Sequence, residues 1–222
     1  MASPFLLKPT FTPSSPAPPE SPYLKSLISH LSLQPHPEGG YFVETDRDTL
    51  RVPNPFDPSD PKSTRSASTS IHYLLTPSSP LGHFHRNKGR TVHTLHKGRG
   101  VYVLVHADEV AAEECVGGYG GDGLSERERW TGKARVEVFV VGMDLLKGER
   151  CQWIVNGGKY KCSYLVADED GGNSSEGLLI SETVVPGFEY EDHDFMTKAR
   201  LEMLVRAEQA KEMDWMLRKT AS

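Results

Sequence analysis

From Tyr41 to about Pro186 the chain is a succession of short apolar runs with a period of two, each closed by glycine, proline or acidic residues. The runs are GYFVETD, TSIHYLLT, TVHTLHKG, GVYVLVHAD, RVEVFVVG, RCQWIVNGG, KYKCSYLVAD and LLISETVVPG. Their β-branched and aromatic content and regular turn signals predict strands, and no helical period separates them. This excludes a βαβ plan and predicts an all-β sandwich or barrel. Two segments break the rhythm. The proline-punctuated RDTLRVPNPFDPSDPKSTRSAS reads as a loop, and AAEECVGGYGGDGLSERERWTGK, within residues 111–133, reads as a glycine-rich mobile insertion.

At both ends the period changes. In SPYLKSLISHLSL, Leu24, Leu27, Ile28 and Leu31 recur at helical spacing behind a Ser-Pro start, which predicts a short amphipathic helix. From Asp194 to about Lys219, Met196, Ala199, Met203, Leu204 and Ala207 mark one side of a second helix, with Asp194 as its expected cap. Residues 1–21 are rich in proline and serine and are expected to form a disordered tail, leaving one domain over residues 22–219.

The chain has 222 residues, enough for one real core, and a formal net charge of −5. No broad cationic surface is implied, so nucleic acid is not expected as a partner. The three cysteines, Cys115, Cys151 and Cys162, show no scaffold spacing, which argues against a disulfide framework and for a reducing, cytoplasmic setting, with the nucleus also open. The N-terminal apolar run is too short for a signal peptide and no window reaches the length of a membrane span, so no membrane association is expected.

Candidate chemistry concentrates in LGHFHRNKGRTVHTLHKGRG, residues 81–100, which holds His83, His85, His93 and His96 of the chain's nine histidines. His85 and His93 have the intrinsic pKa for proton transfer near neutrality. Tyr160 and Lys161 follow a glycine turn, and Arg90 adds a cation able to hold phosphate. In HPEGGYFVET, Gly39-Gly40 allow positive φ. Glu44 shares a strand face with Phe42: if that face points inward it is a buried general base or substrate anchor, and if outward an ordinary strand residue. Glu38 is expected to bond the amides of its own loop or to touch ligand.

Four separated segments, HPEGGYFVET, SIHYLLT, HFHRNKGRTVHTLHKG and VVPGFEYEDHDF, together resemble the DUF985 branch of the cupin superfamily, closest to its fungal members. The resemblance spans about Leu27 to Phe195. It implies a double-stranded β-helix, the jelly-roll barrel, assembled as a homodimer. The cupin metal motif is His-x-His, a downstream Glu and a later His. Here His83 and His85 match the first part, the acidic pair falls on Arg90 and Thr91, and the last histidine on Lys161. The resemblance thus implies a barrel with two of four ligands missing, for which no cofactor is expected, or a divalent metal on a substitute set of His83, His85 and His93.

The expectation is a barrel binding a small sugar-like or nucleotide-linked molecule. His85, His93, Tyr160 and Glu44 are the candidate catalytic groups of an isomerase or epimerase, with Arg90, Thr91, Lys161, His83 and Glu38 as ligand contacts. A non-catalytic small-molecule-binding module and a metal-dependent oxygenase are the alternatives.

Overall fold

In the computed structural model, residues 7–12, 14, 17–57, 59–115, 124–169 and 172–219 are described. Part of the glycine-rich insertion, residues 116–123, lies outside them, as do residues 1–6 of the tail.

The helix predicted after the tail is α1 (Pro22–His30); the Ser21 hydroxyl accepts from the Leu24 amide and Pro22 occupies the first turn, while a single helical turn, α2 (Glu126–Arg129), lies in the insertion. The strands follow as β1 (Gln34–Pro35), β2 (Tyr41–Arg47), β3 (Arg51–Pro53), β4 (Thr64–Ser66), β5 (Thr69–Leu75), β6 (Leu81–Asn87), β7 (Arg90–Lys97), β8 (Gly100–Val105), β9 (Val136–Val141), β10 (Gln152–Val155), β11 (Tyr160–Leu165), β12 (Leu178–Val185) and β13 (His193–Phe195). All eight predicted runs are strands. β1, β3, β4 and β13, two or three residues each, carry too little periodicity to be read from sequence.

Two sheets face each other. One has the order β1-β2-β5-β12-β7-β10 and the other β13-β6-β11-β8-β9, with β3 and β4 forming a separate pair. Every pairing is antiparallel, as a jelly roll requires. Tyr73, Leu75, Leu95, Tyr102, Leu104, Phe139, Trp153, Leu178 and Ile180 fill one end of the space between the sheets. A second core lies outside the five-stranded sheet, where Phe84, Val103, Tyr160 and Cys162 meet Leu201, Leu204, Met213 and Met216 of the C-terminal segment. α1 covers part of the other sheet through Leu24 and Leu74.

The single C-terminal helix expected from the pattern is instead two, α3 (Lys198–Leu204) and α4 (Ala207–Met213). Val205 turns to extended backbone between them, and the carbonyls ending α3 are taken by the insertion: Lys133 Nζ bonds those of Glu202 and Met203, and the Ala134 amide that of Leu204. Thr197, not Asp194, caps α3. The described part of the tail forms no helix or strand, yet it docks: Leu7 is buried in the outer core and its carbonyl accepts from Trp215 Nε1, while Glu20 bonds Thr76.

Candidate metal centre

The loop before β2 is pressed against β6. Gly39 has φ +102° and its missing Cβ would meet the Leu81 carbonyl oxygen, while the His83 amide donates to the Glu38 carbonyl at 2.7 Å. Only a glycine fits there, and the consequence is that Glu38 enters the barrel rather than bonding its own loop amides. Its Oε1 lies 3.2 Å from His85 Nε2 and 2.9 Å from His193 Nε2. The ligand atoms of Glu38, His85 and His193 all lie within 4.8 Å of one another, the group of this kind found among the described residues.

A bulge in β6 decides which histidine faces inward. Gly82 pairs with Ser163 and His85 with Lys161, so three steps of β6 span two of β11. His85 points into the barrel, Phe84 joins the outer core, and His83 Nδ1 lies 3.3 Å from the Met216 carbonyl. His83 is therefore not a partner of His85, although His-x-His would face one way on a regular strand. β13 supplies the second imidazole of the trio: it pairs with β6 in the register His193↔Asn87 and Phe195↔His85.

The protonation pattern of this trio fits a metal. His85 Nδ1 lies 2.8 Å from the His83 carbonyl, which can only accept, so this nitrogen carries the proton. Burial, reinforced by Lys161 and His193 and opposed by Glu38, lowers the ring's pKa to about 3. At pH 7 its Nε2 is thus a bare lone pair. Burial would raise the Glu38 carboxyl, but His85 and the His193 hydrogen bond outweigh it and hold Glu38 at about 2. A lone pair faces an ionised carboxylate at 3.2 Å, an arrangement that a cation between them would resolve. A histidine that donates its far nitrogen to a main-chain carbonyl is also oriented as metal-bound imidazoles are.

A second buried group lies across the barrel. Glu182 shares the inward side of β12 with Ile180 and Val184, and in register stands beside His93 of β7. Lys161 Nζ donates to Glu182 Oε2 at 2.5 Å and to His93 Nε2 at 3.1 Å. Burial and Lys161 both push the His93 pKa down; Glu182 is held well below the carboxylate range by Lys161 and His93 in spite of burial. Lys161 is 2 % and His93 0 % exposed, so neither is offered to a ligand.

The remaining candidates separate. Tyr160, next to Lys161 on its strand, points the opposite way, into the outer core, where its hydroxyl accepts from Arg200 Nη1 and donates to Asp194. The alternation of a strand forbids Tyr160 and Lys161 from sharing a pocket. Arg90 is exposed at the end of β7, and Thr91 is buried facing inward. Glu44 shares the row of Ile71 and Glu182, but β2 lies near the sheet edge, so Glu44 is exposed at the pocket rim and paired with Arg47 at 2.8 Å. The trio His83, His85 and His93 is not assembled. His193 and Glu182 went unweighed in the sequence, although the inward parity of Glu182 between Ile180 and Val184 was a signal that could have found it.

Both groups touch one cavity of about 80 Å³, walled by Phe42, Ile71, Val184 and Phe188, with Glu38, Glu182 and Asn87 among its polar surface. A jelly-roll barrel with imidazoles and a carboxylate converging in its mouth defines a cupin. The chain belongs to the cupin superfamily family DUF985, whose sequence model matches residues 25–196. It is 41 % identical over 204 residues to an uncharacterized protein of Saccharomyces cerevisiae, covering 89 % of this chain and 87 % of that one. A hypothetical protein from Leishmania major has a similar structure (TM-score 0.66, 29 % identity, 88 % of this chain and 98 % of that one). So does a protein from Shewanella oneidensis (TM-score 0.62, 21 % identity, the same coverage), a likeness of fold alone. Among the described residues no helix is long and apolar enough to cross a membrane.

Proposed function

We propose that this chain is a metal-dependent cupin that binds a small oxygen-bearing molecule at Glu38, His85 and His193. The observation that supports it is the convergence of His85 Nε2 and His193 Nε2 on the Glu38 carboxylate, with His85 Nδ1 turned to the His83 carbonyl. Two imidazoles and one carboxylate suit a first-row divalent ion such as Fe²⁺, Mn²⁺, Ni²⁺ or Zn²⁺ with positions left for ligand. Such an ion, when bound, supplies a Lewis acid that polarises a ligand oxygen. The chain itself positions His85 through the His83 carbonyl and keeps the opposite wall electrically complete through Lys161 and Glu182.

The isomerase or epimerase reading with His85, His93 and Tyr160 as proton carriers loses its support, because these side chains occupy three separate environments. Elemental analysis of untagged protein purified without chelator, followed by Mn²⁺ titration of the stripped protein in a calorimeter, tests the reading. One ion per chain is expected in the wild type and none in His193→Ala or Glu38→Gln. A wild-type protein that takes up no ion, or a His193→Ala variant that holds it equally well, overturns the proposal.

A further inference from the structure

His36 stands beside the trio without belonging to it. Its Nδ1 accepts from the Glu38 amide at 3.2 Å and lies 3.6 Å from Glu38 Oε2. The turn that carries the ring is closed by two main-chain bonds, from the His36 amide to the Gly40 carbonyl at 2.9 Å and from the Gly39 amide to the His36 carbonyl at 3.0 Å. Phe42 and Tyr73 pack edge to face with the ring, their centres 4.4 and 5.7 Å away. The imidazole is thus held in one orientation.

That orientation fixes where the hydrogen sits. An amide N–H can only donate, so the nitrogen it meets is bare and the neutral ring carries its hydrogen on Nε2. Among the described residues Nε2 has no hydrogen-bond partner, and it is not one of the buried side-chain atoms shut off from solvent. Since His36 lines the same cavity as Glu38 and Glu182, this N–H is a donor open to the pocket. His85 is set the other way, with its hydrogen given to the His83 carbonyl and its bare Nε2 turned to Glu38. One imidazole offers the pocket a lone pair for a metal, and the other a hydrogen for what the metal holds.

A donor in this place complements an oxygen lone pair, and an ionised acceptor makes the stronger bond. A carboxylate brings two such oxygens on one carbon, one for the metal and one for His36. A doubly charged phosphate would meet more repulsion from Glu44 and Glu182, which line the same wall. We infer that the pocket takes a carboxylate, and that His36 orients it by donating from Nε2 to the oxygen the metal leaves free. The inference rests on the metal reading above. No bond is made or broken in this recognition step.

The test follows acetate binding to the Mn²⁺-loaded protein by water-proton relaxation, in the wild type and two variants. In His36→Asn the side-chain oxygen stands near the place of Nδ1, so the Glu38 amide keeps an acceptor while the Nε2 donor is lost. In His36→Gln the terminal amide N–H restores a donor near the place of Nε2. Acetate affinity is expected to fall about tenfold in His36→Asn, the worth of one charge-assisted hydrogen bond, and to recover in His36→Gln, with Mn²⁺ stoichiometry unchanged in both. Should a variant fail to fold, the imidazole ¹H–¹⁵N spectrum of the Zn²⁺-loaded wild type decides: His36 is expected as the Nε2–H tautomer, with that proton moving downfield as acetate is added. Wild-type acetate affinity in His36→Asn, an equal loss in the two variants, a His36 whose hydrogen sits on Nδ1, or a wild type that binds Mn²⁺ but no acetate overturns this inference and leaves the metal site standing. A wild type that binds no Mn²⁺ overturns both.

Discussion

Two buried carboxylate–imidazole groups share this barrel, and they are completed differently. At Glu182 the cation is built in: Lys161 Nζ sits 2.5 Å from the carboxylate and 3.1 Å from His93. At Glu38 three imidazoles converge, His193 at 2.9 Å, His85 at 3.2 Å and His36 at 3.6 Å, without a lysine or arginine joining them among the contacts of the described residues. The charges of the first group are paired as the chain folds, and the second is the one at which we propose a metal. The position at which the resemblance implies a metal-ligating histidine holds the lysine of a buried ion pair. The candidate metal group is drawn instead from the loop before β2, from β6 and from β13.

The comparison breaks most visibly when each carboxylate is changed to its amide. Glu182→Gln leaves Lys161 as an unpaired buried charge and should cost about 3–5 kcal/mol of unfolding free energy. Lys161→Met, which strands Glu182 instead, should cost a similar amount. Glu38→Gln should also cost stability in the metal-free protein, since the fold holds that carboxyl at about 2 and so favours its ionised form, but less than Glu182→Gln, because it leaves no lysine unpaired. Urea unfolding of the three variants checks this, and a Glu38→Gln cost as large as that of Glu182→Gln would end the distinction between a closed and an open group.

The same pair predicts opposite responses to metal. At a free Mn²⁺ concentration 100 times its dissociation constant, the wild type should gain about 2.7 kcal/mol. Glu38→Gln should gain almost nothing. Melting curves with and without Mn²⁺ read this, and equal gains in the two proteins would remove Glu38 from the site.

Next in size is the pH dependence of the metal-free protein. His85 is held at about 3 against 6.5 in a model peptide, so between these values the unfolded chain binds a proton that the folded chain does not. Stability from this group is complete above about 6.5 and falls with decreasing pH at about 1.4 kcal/mol per unit. Glu38, held at about 2 against 4.5, adds its own loss only below 4.5. Between pH 6.5 and 5 the His85 contribution is thus about 2 kcal/mol. His85→Asn should lower the slope of stability against pH by one proton in that window; a slope equal to the wild type's would mean that His85 is already protonated in the folded state.

The barrel was legible in the sequence because alternation and turn residues report directly on strands, and GG at positions 39 and 40 announced a close approach of main chains. The site was legible only in part. His85, Glu38 and Lys161 were reachable from motif spacing. The β6 bulge that turns His83 out was not, because a bulge depends on pairing with β11 and leaves no mark in HFH itself. His193 was hidden for a related reason: β13 has three residues and acquires its inward face only by pairing with β6. The C-terminal helix was read as one because its break at Val205 is fixed by Lys133 and Ala134, some seventy residues earlier in the chain.

The smallest expected effect concerns Tyr160, and it tests whether the two faces of β11 are as separate as the alternation requires. Its hydroxyl belongs to a cluster outside the barrel, with Arg200 and Asp194, while Asp194 is also gripped by Arg86 through Nε at 2.8 Å and Nη2 at 2.9 Å. Arg86 and Asp194 are the outward neighbours of His85 and His193, and they face each other in the register that sets those histidines side by side. Tyr160→Phe removes two hydrogen bonds, from Arg200 and to Asp194, but leaves the Arg86–Asp194 clamp and the Arg200–Asp194 ion pair in place. Its cost should be about 1 kcal/mol in urea unfolding, with Mn²⁺ affinity unchanged. A tenfold loss of Mn²⁺ affinity in this variant, at wild-type stability, would show instead that the phenol reaches the site, and that the outer face of β11 takes part in what the inner face binds.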